Sequence, residues 1–596
     1  MTFQTFDTAS TPAPDIEKRV QHLRDSLDAL GVDGVVVPHE DAYQSEYLPP
    51  SEDRLQFMTG FTGSAGRAFV LRDAAMFVTD GRYTLQASAQ VPPLFHIVSD
   101  QPAAREWARA NLAGKRLGVD PHLHTRSDLE RIAKLAEGLT LVKLDRNPVD
   151  PVWPDRPAPP RGMVRAHPET LAGRSMPEKI ADVRAAMEGD ALYIADSDSV
   201  SWLLNWRGAD VAHTPLVLSR AFVPREGEVS VFVDPQKVPN DLAGALAGHA
   251  AIVPEDQLLA RLAGLSAGKS VMADPARASD AALAAIEAEG TLLPRTDPVQ
   301  RLKAVKNAAE IDGMRHAHQR DGLALVRFFA WCEENAVGAT EIDLVKRLEA
   351  FRRDAGAIDI SFDTISGSGP NGAIVHYRVD ETTDRAIEEG EPVLIDCGGQ
   401  FEDGTTDITR TFVAGGGTGS DEFRVQYTRV LKGHIAIARQ RFPEGTQGSE
   451  LDPFARAALW NAGFDFKHGT GHGIGAALAV HEGPASISRR GTTALETGMI
   501  LSNEPGDYHT GAFGIRIENV CLVREARVPL GGSIPCHWFE TLTLAPIDTR
   551  PIVATLMTAD EIGWLDAYHA RVRGALAGDL TPTERAWLEA RTRPLG

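Results

Sequence analysis

A proline-rich run in the first third of the chain limits what can fold across it. Residues 147–160 read NPVDPVWPDRPAPP. Because proline fixes φ and lacks a backbone donor, neither a helix nor a central strand continues through such a run. We therefore predict a domain boundary there, and a second one near 294–298, where PRTDP precedes a long helical stretch. The predicted domains are 1–155, 156–305 and 306–596.

The two segments before the second boundary repeat one order of elements. Each starts with a short apolar strand and ends with two strands around a turn, and the glycine-containing segments 57–63 and 204–208 occupy equivalent places. The predicted strands are 34–38, 68–71, 76–79, 191–195, 221–223 and 229–233. The shared order predicts an internal duplication of one α/β unit.

Capping signals mark helices in the last domain. Asn307 and Thr558 are each followed three residues later by glutamate, which is the spacing of a capping box. Thr340 and Thr581 precede two further helices, and Pro582 suits a first helical turn. Among the helices we predict a strand at 392–396, an Asp-Gly turn at 402–405 and a returning strand at 405–413.

The charge and the cysteine content restrict the partners and the compartment. With 61 basic and 82 acidic residues the formal net charge is −21, whereas nucleic acids and anionic membranes require a basic face. No apolar stretch reaches the ~18 residues of a membrane span, and no signal-peptide pattern is visible. Four cysteines without CxxC spacing suit a reducing compartment. We therefore predict a cytoplasmic protein with no nucleic-acid and no membrane partner.

Two nucleotide-binding patterns are incomplete. Residues 263–270 resemble a phosphate loop, but Ala263 stands where glycine is required and a strand-like segment follows in place of a helix. Residues 471–476 match G-x-G-x-x-A in letters only, since no strand-to-helix unit with a ribose-binding acid accompanies them. Neither segment predicts a nucleotide site.

Five acids and histidines lie on apolar or glycine-rich segments of the last domain. Asp396 ends the apolar run Val-Leu-Ile, and Asp407 follows on the other arm of the predicted hairpin. His472 lies among glycines, and Glu504 precedes Pro-Gly. Glu518 lies within a predicted continuous strand over 515–520. Any one of these acids alone is more often structural. As a set, four carboxylates and one imidazole suit a pair of divalent ions, which can activate water near neutral pH.

These segments resemble the pita-bread metallopeptidases, a family that includes methionine aminopeptidase, prolidase and aminopeptidase P. The resemblance rests on DCGGQFEDGTTDITRT and HGTGHGIGAALAVHEGP, and extends to 41–66, 79–87 and 202–215, so it covers nearly the whole chain. It is strongest to the long, three-domain Xaa-Pro aminopeptidases. The implied fold is α/β, with two related creatinase-like N-terminal α/β domains followed by a pita-bread catalytic domain that carries a C-terminal extension.

The resemblance implies a role for each member of the set. Asp396 would chelate one metal, Asp407 and Glu518 would bridge both, and His472 and Glu504 would complete the sphere of the second. Glu504 would also act as general base on the attacking water. The implied cofactor is two divalent ions per chain, with manganese expected and cobalt or zinc compatible with the ligands.

The resemblance also assigns residues around the metals. His376 and His481 would be catalytic and would bind substrate, and His468 would line the same pocket. Arg516 would hold a ligand carboxylate from behind. Cys397 stands where serine is expected, at a position that is not a ligand.

The implied reaction is release of the N-terminal residue from peptides with proline at the second position, by a homodimer. Two alternatives remain open. A prolidase uses the same metal set on dipeptides and usually lacks the middle domain, and a non-catalytic pita-bread module binds without turnover, but such modules lose ligands.

Overall fold

The structure is a computed structural model that describes residues 2–7 and 11–595. The chain divides into two units. Unit 1 comprises 1–8, 170–173 and 300–596, and unit 2 comprises 9–169 and 174–299. The predicted domain limits at 155/156 and 305/306 remain predictions.

Unit 2 contains two six-stranded sheets of identical topology. In each, the first strand pairs antiparallel with the second and parallel with the fifth, the second pairs antiparallel with the third, and the outer pairs are parallel. The spatial order is 4-3-2-1-5-6 in both. The first sheet consists of Gly34–Pro38, Arg67–Leu71, Ala75–Val78, His96–Val98, Arg116–Val119 and Thr140–Lys143, and the second of Ala191–Ile194, Arg220–Pro224, Val229–Phe232, Ala250–Val253, Ser270–Ala273 and Thr291–Pro294. The predicted duplication is confirmed.

Helices cover the apolar faces of these sheets. The leading strand Gly34–Pro38 is buried at every position, as expected for a Val-rich strand covered on both faces. Its core includes Ile16, Val20 and Leu23 from the first helix. The α-helices of this unit are Ala13–Leu30, Arg54–Thr59, Thr84–Gln90, Gln101–Asn111, Arg126–Ala133, Met176–Ala186, Ser197–Leu203, Asn240–Ala245, Leu258–Ser266 and Asp280–Glu289.

As its prolines predict, neither an α-helix nor a sheet strand continues through the proline-rich run 147–160, and side-chain contacts fix it in place. A short 3-10 helix spans Asp150–Val152. Trp153 stacks on Phe57 with ring centroids 4.6 Å apart, and Arg54 pairs with Asp150 at 2.7 Å. Proline sets the backbone of the run, whereas the tryptophan and the aspartate attach it to the helix Arg54–Thr59. The phosphate-loop-like 263–270 lies at a helix-to-strand turn, as the sequence indicated.

Unit 1 is built around strands that carry the predicted metal ligands. A three-stranded sheet consists of Ile365–Ser368, Pro392–Cys397 and Ile408–Val413, and another of Asp359–Ile360, Gly399–Phe401 and Gly404–Thr405. A six-stranded sheet has the order Arg441–Pro443, Cys536–Thr541, Asn519–Arg527, Ile500–Asn503, Gly471–Gly473 and Glu482–Ile487. A hairpin joins Gly506–His509 to Phe513–Arg516.

Helices surround these strands and begin where the caps predict. The capping boxes at Asn307 and Thr558 are confirmed, as are the caps at Thr340 and Thr581 with Pro582 in the first turn. The longer helices of unit 1 are Pro298–Ala304, whose first residues belong to unit 2, and Ala308–Asn335, Glu341–Asp354, Asp421–Ala438, Gly448–Trp460, Ala559–Leu576 and Pro582–Arg591. Within the described residues, every helix is too short or too polar to traverse a bilayer.

Two predicted strands are interrupted, both next to predicted ligands. The returning strand 405–413 breaks at Thr406 and Asp407, and the strand 515–520 breaks at Ile517 and Glu518. At the second break, the Glu518 N–H donates to the Thr409 carbonyl, which belongs to a strand of a different sheet. The predicted continuous strands were therefore wrong. At Asp407 the chain passes from the sheet of Gly404–Thr405 to that of Ile408–Val413, and at Glu518 a bond to another sheet replaces the local one.

Candidate metal centre

Two aspartates lie at the same end of one strand pair. Asp396 is the penultimate residue of Pro392–Cys397 and stands opposite Thr409 in the antiparallel register. Asp407 precedes the partner strand Ile408–Val413 directly. Both carboxylates are buried, as is expected for acids that end apolar strands and require a partner.

The other three predicted ligands come from the six-stranded sheet. His472 lies in Gly471–Gly473, Glu504 follows Ile500–Asn503, and Glu518 precedes Asn519–Arg527. The glycines beside His472 are required by close approach of neighbouring backbone. A Cβ on Gly471 would lie 1.9 Å from the Ser502 carbonyl oxygen. Glycine therefore lets the imidazole stand within a strand that packs too tightly for side chains on either side.

Tertiary structure brings these side chains together. One ligand atom from each of Asp407, His472 and Glu518 lies within 4.8 Å of the others. His472 Nε2 is 3.5 Å from Asp407 Oδ2 and 3.5 Å from Glu504 Oε1. His472 Nδ1 donates to the Gly473 carbonyl at 2.9 Å, so that Nε2 is the ring nitrogen directed at the carboxylates. Nε2 is therefore the nitrogen that a metal ion would bind.

Two carboxylate oxygens at this site lack a donor. Asp396 Oδ1 and Glu518 Oε1 are buried and, among the residues that the structure describes, have no hydrogen-bond partner. A buried, unpaired carboxylate oxygen is costly, so the arrangement fits a bound cation. The oxygen-rich donor set with one imidazole suits a divalent ion of hard or borderline character.

Arg516 supplies the opposite charge behind the site. Its Nη2 donates to Asp396 Oδ2 at 2.5 Å, and its Nε donates to Thr409 Oγ1 at 3.1 Å. The Thr409 hydroxyl donates in turn to Glu518 Oε2 at 2.8 Å. Arg516 Nη1 donates to the Tyr508 hydroxyl at 2.6 Å. One guanidinium therefore orients two of the predicted ligand carboxylates, Asp396 directly and Glu518 through a threonine.

The pKa values reflect this crowding of acids. Burial raises the pKa of Glu518 well above its usual range, and the neighbouring Asp407 and Glu504 raise it further. Burial also raises the pKa of Asp396 and of Glu504, although Arg516 and His472 respectively oppose the shift. For His472, burial lowers the pKa but Asp407 and Glu504 outweigh it and raise the value to about 9. The ionised acids are therefore most stable beside additional positive charge.

The predicted substrate histidines lie around the same centre. The His481 ring packs edge-on against His472, with centroids 4.2 Å apart. His468 Nε2 hydrogen-bonds the Tyr508 hydroxyl at 2.8 Å. His376 follows Val375, whose carbonyl accepts from Arg516 Nη2 at 3.3 Å. The three histidines thus connect to the centre through His472, Tyr508 and Arg516. Their roles remain predictions.

Sequence reasoning missed the groups that connect the ligands. Thr409 could have been found, because it is two residues beyond Asp407 in the predicted strand 405–413 and therefore shares the predicted face of Asp407. Tyr508 gave no such signal, since it hydrogen-bonds Arg516 across a hairpin.

A further missed network lies behind the two glutamates. His434 Nδ1 donates to the Asn503 carbonyl at 3.1 Å, and its Nε2 accepts from Asn519 Nδ2 at 3.0 Å. Asn503 precedes Glu504, and Asn519 follows Glu518. The partners are 69 and 85 residues from His434 along the chain, so no local pattern indicates them.

Comparison with known families agrees with this geometry. Residues 312–525 match Metallopeptidase family M24, and 535–595 match the C-terminal region of peptidase M24. Residues 19–150 and 155–310 each match a Creatinase/Prolidase N-terminal domain. A "Probable Xaa-Pro aminopeptidase P" of Aspergillus niger is 38% identical over 98% of this chain and 99% of that protein. The chain belongs to metallopeptidase family M24.

Two further relatives match nearly the whole of this chain. "Aminopeptidase P2" of Arabidopsis thaliana is 39% identical over 96% of this chain and 87% of that protein. The crystal structure of an X-prolyl aminopeptidase from Caenorhabditis elegans, described as a cytosolic enzyme with a di-nuclear active site, is 33% identical and superposes with a TM-score of 0.92. The match covers 97% of this chain and 100% of the Caenorhabditis elegans chain. Together with the family matches, this superposition shows that the chain has two creatinase-like domains before its pita-bread domain.

Proposed function

We propose that this protein is a metal-dependent aminopeptidase that releases the N-terminal residue from peptides with proline at the second position. One observation carries the proposal: a chain related over nearly its whole length to Xaa-Pro aminopeptidases also has ligand atoms of Asp407, His472 and Glu518 within 4.8 Å of one another, with Glu504 3.5 Å from His472. It is a metallo-exopeptidase of the hydrolase class.

The donor set supports two divalent ions per chain, and we propose that they are manganese, with cobalt or zinc as alternatives. Asp396, Asp407, His472, Glu504 and Glu518 would hold them. When bound, such a pair lowers the pKa of a water molecule and polarises the scissile carbonyl.

The remaining chemistry falls to side chains of this protein. Glu504 would take the proton from the attacking water, since its Oε1 already accepts from Ser502 Oγ at 3.2 Å and faces His472. His376 would bind the peptide and stabilise the tetrahedral intermediate, and His481 would be a second histidine in contact with the substrate. His468 would line the pocket beside Tyr508. Arg516 would hold Asp396 in place, as outer hydrogen bonds do for metal ligands.

We further propose domains 1–155, 156–305 and 306–596, a cytoplasmic location and a homodimer. The overall relation to a protein described as a cytosolic enzyme supports the location. The homodimer would be tested by sedimentation at several protein concentrations, where a constant monomer mass would contradict it.

A peptide-library digest with added manganese, read by mass spectrometry, tests the activity. We expect loss of one residue only from peptides with proline second, and no cleavage by Glu504→Ala. Cleavage of X-Pro dipeptides with no activity on Arg-Pro-Pro would identify a prolidase instead. Stoichiometric metal binding without any cleavage would identify a non-catalytic binding module.

A further inference from the structure

One fully buried carboxylate of unit 1 has no part in the proposed chemistry. Glu341 is the first residue of the helix Glu341–Asp354 and has no solvent exposure. It faces the end of the strand Ile365–Ser368 and the loop that follows. The Glu341 side chain is not needed to cap its own helix, because the Thr340 side chain already does so.

Donors from three residues converge on this carboxylate. The Ser368 backbone N–H and hydroxyl donate to Oε1 at 2.6 and 2.9 Å. Asn371 Nδ2 donates to Oε2 at 2.9 Å, and the Tyr377 hydroxyl donates to Oε2 at 2.8 Å. Burial raises the pKa of Glu341 to about 7, while the bonds from Ser368, Asn371 and Tyr377 oppose that rise. The ionised form is the one that all of these donors satisfy.

These three donors span the loop that carries His376. Ser368 begins it, Asn371 lies in its 3-10 turn Gly369–Ala373, and Tyr377 immediately follows the histidine. The Tyr377 ring is buried, 4% exposed. On the other side of the histidine, the Val375 carbonyl accepts from Arg516. The two neighbours of His376 are thus both fixed: Tyr377 is bonded to Glu341, and Val375 is bonded to Arg516.

We propose that Glu341 is a positioning residue that holds His376 in its working orientation through hydrogen bonds to three residues of this loop. The inference rests on the proposed role of His376 as a substrate-binding group. Glu341→Gln preserves the volume of the side chain but offers a single acceptor oxygen, and its amide hydrogens would face the donors of the loop. The loop then loses its fixed geometry while the metal ligands keep theirs.

A double-mutant cycle with His376→Ala tests this dependence. A displacement of about 1 Å can lower turnover on the order of 10²-fold, so we expect that loss in kcat/KM for Glu341→Gln. In the His376→Ala background, Glu341→Gln should change kcat/KM by less than about twofold, since the group that it positions is gone. A merely structural role would multiply the two losses.

The matched control is Glu310→Gln. Glu310 is also a buried glutamate in the first turn of a helix, where it accepts from the Asn307 N–H at 3.0 Å. That bond closes the cap of its own helix, so we expect kcat/KM within about twofold of the wild type. Hydrogen exchange of peptides spanning 366–378 should accelerate in Glu341→Gln and stay unchanged in the control, with manganese content equal in all variants.

The outcomes separate the inference from the proposed function. Wild-type activity of His376→Ala would refute the role of the histidine itself. A large loss in His376→Ala combined with an equal effect of Glu341→Gln in both backgrounds would overturn the positioning role alone. If Glu341→Gln does not fold, Tyr377→Phe removes the single bond next to His376, and the same cycle with that variant decides the question.

Discussion

The imidazole of His434 allows a quantitative prediction about stability. Its ring is fully buried, donates from Nδ1 to the Asn503 carbonyl and accepts at Nε2 from Asn519. Asn519 Oδ1 is already fixed by Arg410 Nη2 at 2.8 Å, so its Nδ2 must face the ring. Both ring nitrogens are therefore committed to the neutral form, and burial followed by the charge of Arg410 lowers the pKa of His434 to about 3.

We expect His434→Phe to destabilise the protein near neutral pH. The substitution removes both hydrogen bonds and leaves a buried amide donor and a buried carbonyl without their partner. Each such loss costs about 1–3 kcal/mol, so the free energy of unfolding should fall by about 2–6 kcal/mol at about pH 7.5. The packing of the ring against Trp564, with centroids 5.9 Å apart, is retained in kind.

Acid should reduce that difference. A histidine whose folded pKa is lowered gives stability above its unfolded value, near 6.5, and loses it as the pH falls toward the folded value. At about pH 4.5, two units below the unfolded pKa, the wild type has lost about 2.7 kcal/mol through this group. Phenylalanine takes up no proton, so the cost of the substitution should be smaller by about that amount.

Urea unfolding at both pH values measures the effect. Tryptophan fluorescence is the signal, because Trp564 lies beside the ring, and excess chelator removes any contribution of metal affinity. His316→Phe, at an exposed position of the helix Ala308–Asn335, serves as the control and should show no such pH-dependent difference. A cost of His434→Phe that is the same at both pH values would refute the assignment of a neutral, proton-excluding imidazole.

The metal centre yields three further predictions. Glu504→Ala should lower turnover of Arg-Pro-Pro by at least about 10²-fold with an unchanged circular dichroism spectrum, and wild-type rates would contradict its role as base. Arg516→Met leaves Asp396 without its buried partner, so the free energy of unfolding should fall by about 3–5 kcal/mol. Much of the bound manganese, measured by mass spectrometry, should be lost as well. For Arg516→Lys both values should lie between those of the wild type and those of Arg516→Met. Removing metal with a chelator should abolish activity, and restoring manganese at about 100 times its Kd should add about 2.7 kcal/mol of stability for each ion bound, measured by thermal unfolding. An unchanged melting temperature would argue against a metal held by the folded state.

Local chemistry made much of this protein predictable from its sequence. The helix starts at Asn307, Thr340, Thr558 and Thr581 follow from side chains that cap the backbone within three residues. The strands of the two creatinase-like domains follow from short apolar runs between turn residues, and their repeated order follows from the same patterns. The four acids proposed as metal ligands stood out in the sequence because acids on apolar, glycine-rich strands are buried on folding and then require a partner of positive charge.

Tertiary structure alone decided how those residues meet. The break at Glu518 arises because its N–H donates to the Thr409 carbonyl of another sheet, 109 residues away in the chain, and the break at Asp407 arises because the chain changes sheets there. Tyr508, His434 and the grip of Glu341 on its loop likewise depend on packing between distant elements. Sequence patterns record what a residue does within one or two turns of backbone. The convergence of separate strands, which gives a carboxylate its neighbours and its charge state, is fixed only when the whole core has packed.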